Sequence, residues 1–241
     1  MVATVLVFAG LDPSGGAGLS ADILAIAAMG AHALPVATAL TVQDNDRVHE
    51  VAPVDTALMV RQAEALIGRV AIDAVKIGIP GNRANALAIA ALVGQLRVPV
   101  VLDPVLASGH GDALGQGDAL AAIAALLDVA TLVVPNLMEA AALGMVSCPH
   151  VLLTGGHGDG AVVVNRWLHA GREHAWHWPR LPGQFHGSGC TLAASIAARL
   201  AQGDAMVDAL ERAQAFCHEA LAQSFAIAPG QRIPRRFFQS V

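Results

Sequence analysis

Val2-Ala3-Thr4-Val5-Leu6-Val7-Phe8 runs without a charge into Gly10-Leu11-Asp12-Pro13-Ser14-Gly15-Gly16-Ala17-Gly18. Beyond those glycines, Leu19–Met29 has helical apolar spacing and stops at Gly30. An apolar strand passing through a glycine loop into a helix is the opening unit of a parallel sheet covered on both faces. The alternation then recurs. Ala33–Thr41 reads as a strand. Thr56–Ile67 reads as a helix capped by Asp55, with Leu58, Val60, Ala63, Leu66 and Ile67 largely on one side. Ala74–Ile77 and Val98–Leu102 read as strands flanking a helix at Ala84–Leu96. Asp118–Leu127 reads as a helix, Thr131–Val134 as a strand and Leu137–Leu143 as a short helix ended by Gly144. After Val151 the pattern changes: Val151–Leu153, Ala161–Asn165 and His174–Trp178 suggest strands of antiparallel character joined by glycine-bearing turns. Helices Thr191–Ala201 and Ala205–Ser224, broken at Gly203-Asp204, close the domain. The tail Pro229–Val241 reads as loosely held. With no linker, repeat or low-complexity segment, residues 1–241 are read as one α/β domain.

The 241 residues suffice for a sizeable core, and 55% are hydrophobic, many of them alanine. The most membrane-like segment, Ala119–Val134, contains Asp128 and ends at Pro135, so no transmembrane span is expected. Met1–Phe8 has no positive flank and is too short for a signal peptide. A formal charge of −5 argues against a general nucleic-acid role. Cys148, Cys190 and Cys217 have neither paired nor metal-type spacing, which fits a reducing cytoplasm.

The run His186-Gly187-Ser188-Gly189-Cys190-Thr191 leads straight into the apolar-periodic Leu192–Leu200. Glycines around a small hydroxyl residue let backbone N–H groups converge, and the following helix adds its positive end. Such a turn suits a transferring phosphoryl group. Cys190 stands at the same helix start, where a thiol pKa is expected to fall. Other polar groups end strands. Gln43, in Thr41-Val42-Gln43-Asp44-Asn45, can donate and accept, as an aminopyrimidine edge requires. Asp103 ends the Val98–Leu102 strand, and Asn136 and Glu139 are three apart at a helix start, able to face one spot. Mg²⁺ needs only one or two such carboxylates beside nucleotide phosphates. Thr154-Gly155-Gly156-His157 ends another strand and can meet phosphates through its backbone. His169, His174 and His177 match no zinc signature, and Trp176 and Trp178 point to a packed hairpin instead.

Taken in order, these segments, with Val75-Lys76-Ile77-Gly78, resemble the hydroxymethylpyrimidine and phosphomethylpyrimidine kinases of thiamine biosynthesis, within the ribokinase-like superfamily. The resemblance runs from about Val5 to Gln223. It implies a three-layer α/β/α sandwich with a central, mostly parallel sheet, usually in a homodimer. It also implies ATP-dependent phosphorylation of the hydroxymethylpyrimidine and then of its monophosphate. By the resemblance, Gln43, Asp12, Gly10 and Ile79 take the pyrimidine, and Asn136, Thr154 and Gly156 the nucleotide. Asp103 and Glu139 take Mg²⁺, Gly187, Ser188 and Gly189 form the anion hole, and Cys190 is catalytic. K⁺ is a further candidate cofactor. Two departures stand out. Thr154 replaces a lysine that related kinases often carry before Gly-Gly-His, and Lys76 is the only lysine in the chain. Gln43-Asp44-Asn45 replaces the more usual Gln-Asn-Thr, adding a negative charge near the expected substrate. A pyridoxal kinase is the nearest alternative enzyme. From outside enzymes, the alternative is a catalytically weakened pyrimidine-binding sensor, and a dinucleotide oxidoreductase lacks its phosphate fingerprint here.

Overall fold

The computed structural model describes residues 1–106, 119–144 and 147–237. One nine-stranded sheet runs through them, in the order β3-β2-β1-β4-β5-β6-β7-β8-β9. The strands are β1 (Thr4–Leu11), β2 (His32–Gln43), β3 (Val48–Pro53), β4 (Ala74–Ile77), β5 (Val100–Leu102), β6 (Leu132–Val133), β7 (His150–Leu153), β8 (Val162–His169) and β9 (Arg172–Pro179). From β2 through β7 all neighbours are parallel, while β3 at one margin and β8 and β9 at the other are antiparallel. The helices are α1 (Gly18–Ala28), α2 (Thr56–Ile67), α3 (Arg83–Val93), α4 (Ala119–Leu127), α5 (Leu137–Leu143), α6 (Ser188–Ala201) and α7 (Met206–Ala222).

The unbroken apolar run of β1 follows from burial on both faces. Val5, Val7 and Ala9 pack with α1, α6 and α7, whereas Leu6 and Phe8 pack with α2, α3 and α4. The result is an α/β/α sandwich. Phe8 is fully buried, worth about 2–3 kcal/mol from the area it removes from water. The α2 span is the one its periodicity predicts, and Asp55 caps it by accepting from the Leu58 N–H at 2.9 Å. The parallel core also sets the position of the site. Every connection leaving β1, β2, β4, β5, β6 and β7 emerges at one edge of the sheet. Strand order reverses between β1 and β4, the switch point where ligands enter open α/β sheets.

One strand goes unannounced in the sequence, and one expectation needs correction. The strand β3 does not show in the sequence pattern: His49 and Glu50 are exposed and only Val51 is buried, as suits a marginal strand. The tail is not loosely held over its described part. Ile233 and Arg236 are buried, Arg232 pairs backbone to backbone with Gln184 and His186, and Ile233 does so with Phe225. Asn45 adds two hydrogen bonds, to the carbonyls of Pro229 and Gln231. Paired backbone in a groove explains the order that composition alone hides. Residues 238–241 of that tail, and Asp118 at the expected start of α4, lie outside the described residues.

Candidate active site

At the switch point Gly10 ends β1 against Ile79, which follows β4; a Cβ at Gly10 would stand 2.6 Å from Ile79 Cδ1. Gln43, half-buried, ends the neighbouring β2. The loop between β1 and α1 is organised by Asp12, which is 1% exposed. Its carboxylate accepts from the Ser14 N–H (2.7 Å), the Ser14 hydroxyl (2.9 Å), the Ala17 N–H (2.7 Å) and His186 Nε2 (2.9 Å). Burial works to raise the Asp12 pKa, but the donors, led by His186, outweigh it and hold the acid below the usual carboxylate range. Asp12 therefore fixes the loop and the His186 ring. It does not cap α1 with its side chain, since the cap residue is Ala17.

His186 opens the second glycine turn. Gly187 is left-handed (φ 75°) and begins α6 with no side-chain cap. A Cβ there would stand closer than 3.0 Å to the Gly16 carbonyl oxygen, so only glycine lets the two turns touch. Thr191 donates the first helical bond, from its N–H to the Gly187 carbonyl at 2.9 Å. The N–H groups of Ser188, Gly189 and Cys190 are thus the unsatisfied donors of the first turn. Gly189 is exposed and lies over Asp103, a Cβ there falling 3.8 Å from both carboxylate oxygens. An uncapped helix start with glycines in contact range leaves N–H donors and the positive end of the helix open to an anion.

Cys190 is half-buried between three groups: the Gly18 N–H points at its sulfur, its thiol donates to Asp103, and Lys76 is near in charge. The expected fall in its pKa is not what the surroundings produce. Burial, with Asp103 and Asp22 adding repulsion, pushes the thiol up to about 12 against the pull of Lys76 and Gly18. The resting thiol is neutral. Beneath it, Lys76 donates to Asp22 at 2.9 Å, with both side chains fully buried. Burial raises the Asp22 pKa to about 6, although Lys76 draws it down. Asp103 is also raised by burial, partly offset by Lys76 and by the thiol. One oxygen of each acid, Asp22 Oδ1 and Asp103 Oδ2, is buried without a hydrogen-bond partner.

Next along the edge, Asn136 and Glu139 form a capping box on α5: Asn136 Oδ1 accepts from the Glu139 N–H (2.9 Å) and Glu139 Oε2 from the Asn136 N–H (2.8 Å). The pair is brought together as expected, although these bonds hold the helix start. Burial, then repulsion from Asp103, lifts Glu139 to about 7. Asp103 and Glu139 are thus two neighbouring acids, one with an unpartnered oxygen, and among the described residues no group of three or more metal-ligating side chains gathers here. Thr154 bridges to Asn136, and the loop after it is tied by Arg180, which donates to the carbonyls of Gly155, Gly156 and Gly160. Gly156 is exposed, with nothing near the place of a Cβ. The hairpin β8–β9 is packed as its tryptophans suggest: Trp167 stacks against His150 and His169, which stack on each other, and Trp178 stacks on His218.

Sequence reasoning missed Asp22, Lys76 and Arg236 as neighbours of the thiol. A signal existed for the first two: an acid on the buried face of α1, and the only lysine set inside an apolar strand.

The comparisons place the whole chain among known proteins. A family model described as phosphomethylpyrimidine kinase matches residues 12–234. A Rhizobium meliloti protein named hydroxymethylpyrimidine/phosphomethylpyrimidine kinase is 34% identical, over 96% of this chain and 95% of its own. Among solved structures, Staphylococcus aureus pyridoxal kinase in complex with AMP-PCP superposes with a TM-score of 0.87 at 25% identity, covering 98% of this chain and 94% of that one. The Clostridium difficile phosphomethylpyrimidine kinase does so at 0.79 and 27%, covering 91% and 99%. The sheet of this chain is therefore of the ribokinase-like kind, and with a family match over residues 12–234 and a relative 34% identical over 96% of this chain's length, the chain belongs to the phosphomethylpyrimidine kinase family.

Proposed function

We propose that this chain, as a single kinase domain over residues 1–241, transfers the γ-phosphoryl group of ATP to the hydroxymethyl group of 4-amino-5-hydroxymethyl-2-methylpyrimidine, and then phosphorylates the monophosphate. The observation that carries this reading is the uncapped start of α6 beside a half-buried thiol, at the sheet edge where Gly10 and Ile79 meet. The pyrimidine lies against Gly10 and Ile79, with Gln43 reading its amino edge and Asp12 holding the loop that closes over it. The nucleotide runs along Asn136, Thr154 and Gly156. The hydroxyl oxygen attacks the γ-phosphorus in line, and the bond from that phosphorus to its bridging oxygen breaks, leaving the electron pair on ADP. Backbone donors at Gly187, Ser188 and Gly189 hold the migrating group.

Cys190 orients the hydroxyl. Because the thiol rests protonated, its sulfur takes the hydroxyl proton as its own passes to Asp103, the acid it already donates to. Glu139 and the unpartnered oxygen of Asp103 fit Mg²⁺, which supplies charge neutralisation on the phosphates when bound. The AMP-PCP complex of the S. aureus relative supports ATP as donor. K⁺ is proposed as a second ion, tested by exchanging K⁺ for Na⁺. A homodimer is supported by the exposed Leu40 and Val42 on β2, and a cytoplasmic setting by three free cysteines. No described helix is long and apolar enough to cross a membrane.

The test is ³¹P NMR of the products formed from ATP and the hydroxymethylpyrimidine. A monophosphate followed by a diphosphate is expected. Pyrimidine binding without ADP release would make the chain a sensor, and a higher kcat/KM for pyridoxal would replace the substrate.

A further inference from the structure

The described tail brings one guanidinium into the floor of the glycine turns. Arg236 is 3% exposed. Its Nε donates to Thr191 Oγ1 at 2.9 Å and its Nη2 to the Gly16 carbonyl at 2.6 Å, with a longer bond to the Gly187 carbonyl at 3.4 Å. Thr191 Oγ1 in turn donates to the Gly187 carbonyl at 2.7 Å. One side chain thus ties together the two turns whose contact requires glycine at Gly187.

The charge is as unusual as the position. A buried guanidinium is ordinarily matched by a carboxylate, because stripping its water costs several kcal/mol. Among the described residues no carboxylate lies within salt-bridge distance of Arg236, and its Nη1 has no hydrogen-bond partner. The groups that feel its charge are Cys190, Asp22, Cys217 and Asp12. Such a cation is stabilised when an anion comes to rest at the turn it supports. Its fork suits the task, since a planar guanidinium can bond several oxygens at fixed angles and an ammonium cannot.

We infer that Arg236 is a positioning residue of the anion hole: by clamping the carbonyls of Gly16 and Gly187 it keeps the first-turn N–H groups of α6 aimed at one point, and it leaves a positive charge beneath a bound phosphoryl group. This rests on the kinase reading for its catalytic consequence, but the clamp and the anion site do not depend on which alcohol is phosphorylated.

The test compares Arg236→Met and Arg236→Lys with the unsubstituted protein in three measurements: kcat and KM for the pyrimidine, binding of inorganic phosphate by ³¹P line broadening, and Tm. Arg236→Met is expected to lower kcat by about 10²-fold, the usual cost of disturbing one oxyanion donor. It should weaken phosphate binding by about tenfold and leave the pyrimidine KM within about threefold, because the ring binds at Gly10 and Ile79. Arg236→Lys, which keeps the charge and loses the fork, should fall between and provides the reading if the methionine variant does not fold. A kcat within about threefold of the parent in both variants overturns the inference. So does a parallel loss of kcat, pyrimidine affinity and Tm in Arg236→Lys, which would mean a purely structural role. If the unsubstituted protein makes no phosphorylated pyrimidine, the kinase reading fails while the phosphate arm still decides on Arg236. Absence of phosphate binding by the unsubstituted protein refutes the anion hole itself.

Discussion

Gly187→Ala is the sharpest perturbation the structure offers. Two costs add at this position. The left-handed φ of 75° penalises an L side chain by about 1–2 kcal/mol. The new Cβ would also press on the Gly16 carbonyl, a backbone atom that cannot swing aside as a side chain could. Relief requires the two turns to part, which costs about 1 kcal/mol more in backbone strain. A total near 2–3 kcal/mol lowers Tm by about 4–12 °C in a chain of this size. Parting the turns also misaims the donors of the first turn of α6, and one lost oxyanion donor is worth about 10²–10³ in kcat. Gly203→Ala separates the effects. Gly203 has φ 87° and open space around it, between α6 and α7. It pays only the left-handed cost, about 1–2 kcal/mol, with kcat unchanged. Steady-state kinetics by coupled ADP release and thermal unfolding of both variants read the outcome. Gly187→Ala with a kcat within about threefold of the parent would refute the anion hole at this turn.

Three further outcomes are expected. Cys190→Ala lowers kcat by about 10²–10⁴-fold with little change in pyrimidine KM. At pH 8, iodoacetamide modifies Cys190 of the resting protein far more slowly than a free cysteine, as peptide mass mapping would show, because burial and the neighbouring acids keep the thiol protonated up to about 12. Lys76→Met strands Asp22 as an unpaired buried acid and destabilises by about 3–5 kcal/mol, read by denaturant unfolding; the double variant Lys76→Met/Asp22→Leu recovers part of that loss. Glu139 has its folded pKa lifted to about 7 from 4.5, so the stability it contributes is full below 4.5 and lost as pH rises through 7. Adding Mg²⁺ therefore raises Tm more at pH 8 than at pH 5.5, and Glu139→Gln removes that difference.

What could be read from the chain was whatever depends on neighbours in sequence. Asp55 as a helix cap, Asn136 and Glu139 as partners at one helix start, and the unbroken apolar β1 each follow from local rules, and the structure contains all three. The strand-end residues Gly10, Asp103, Asn136 and Thr154 share an edge because parallel pairing alone sends every carboxyl end the same way. What could not be read depends on partners far along the chain. Lys76 meets Asp22 across 54 positions, and Arg236 meets Gly16 across 220. No periodicity encodes such pairs.

The reversed thiol shift has the same origin, and it bears on mechanism. A helix start offers roughly half a unit of positive charge, and the local reading used that alone. The fold buries the sulfur and sets Asp103 and Asp22 beside it, and those effects outweigh Lys76 and the Gly18 N–H together. Glu139, in the first turn of α5, is lifted to about 7 in the same way, by burial first and then by Asp103. The resting site thus resists a further anion at the sulfur. A thiol with a low pKa would be open to oxidation in every idle enzyme. Holding it neutral limits that exposure at rest, and it is why the proposed reaction needs a proton relay through Asp103.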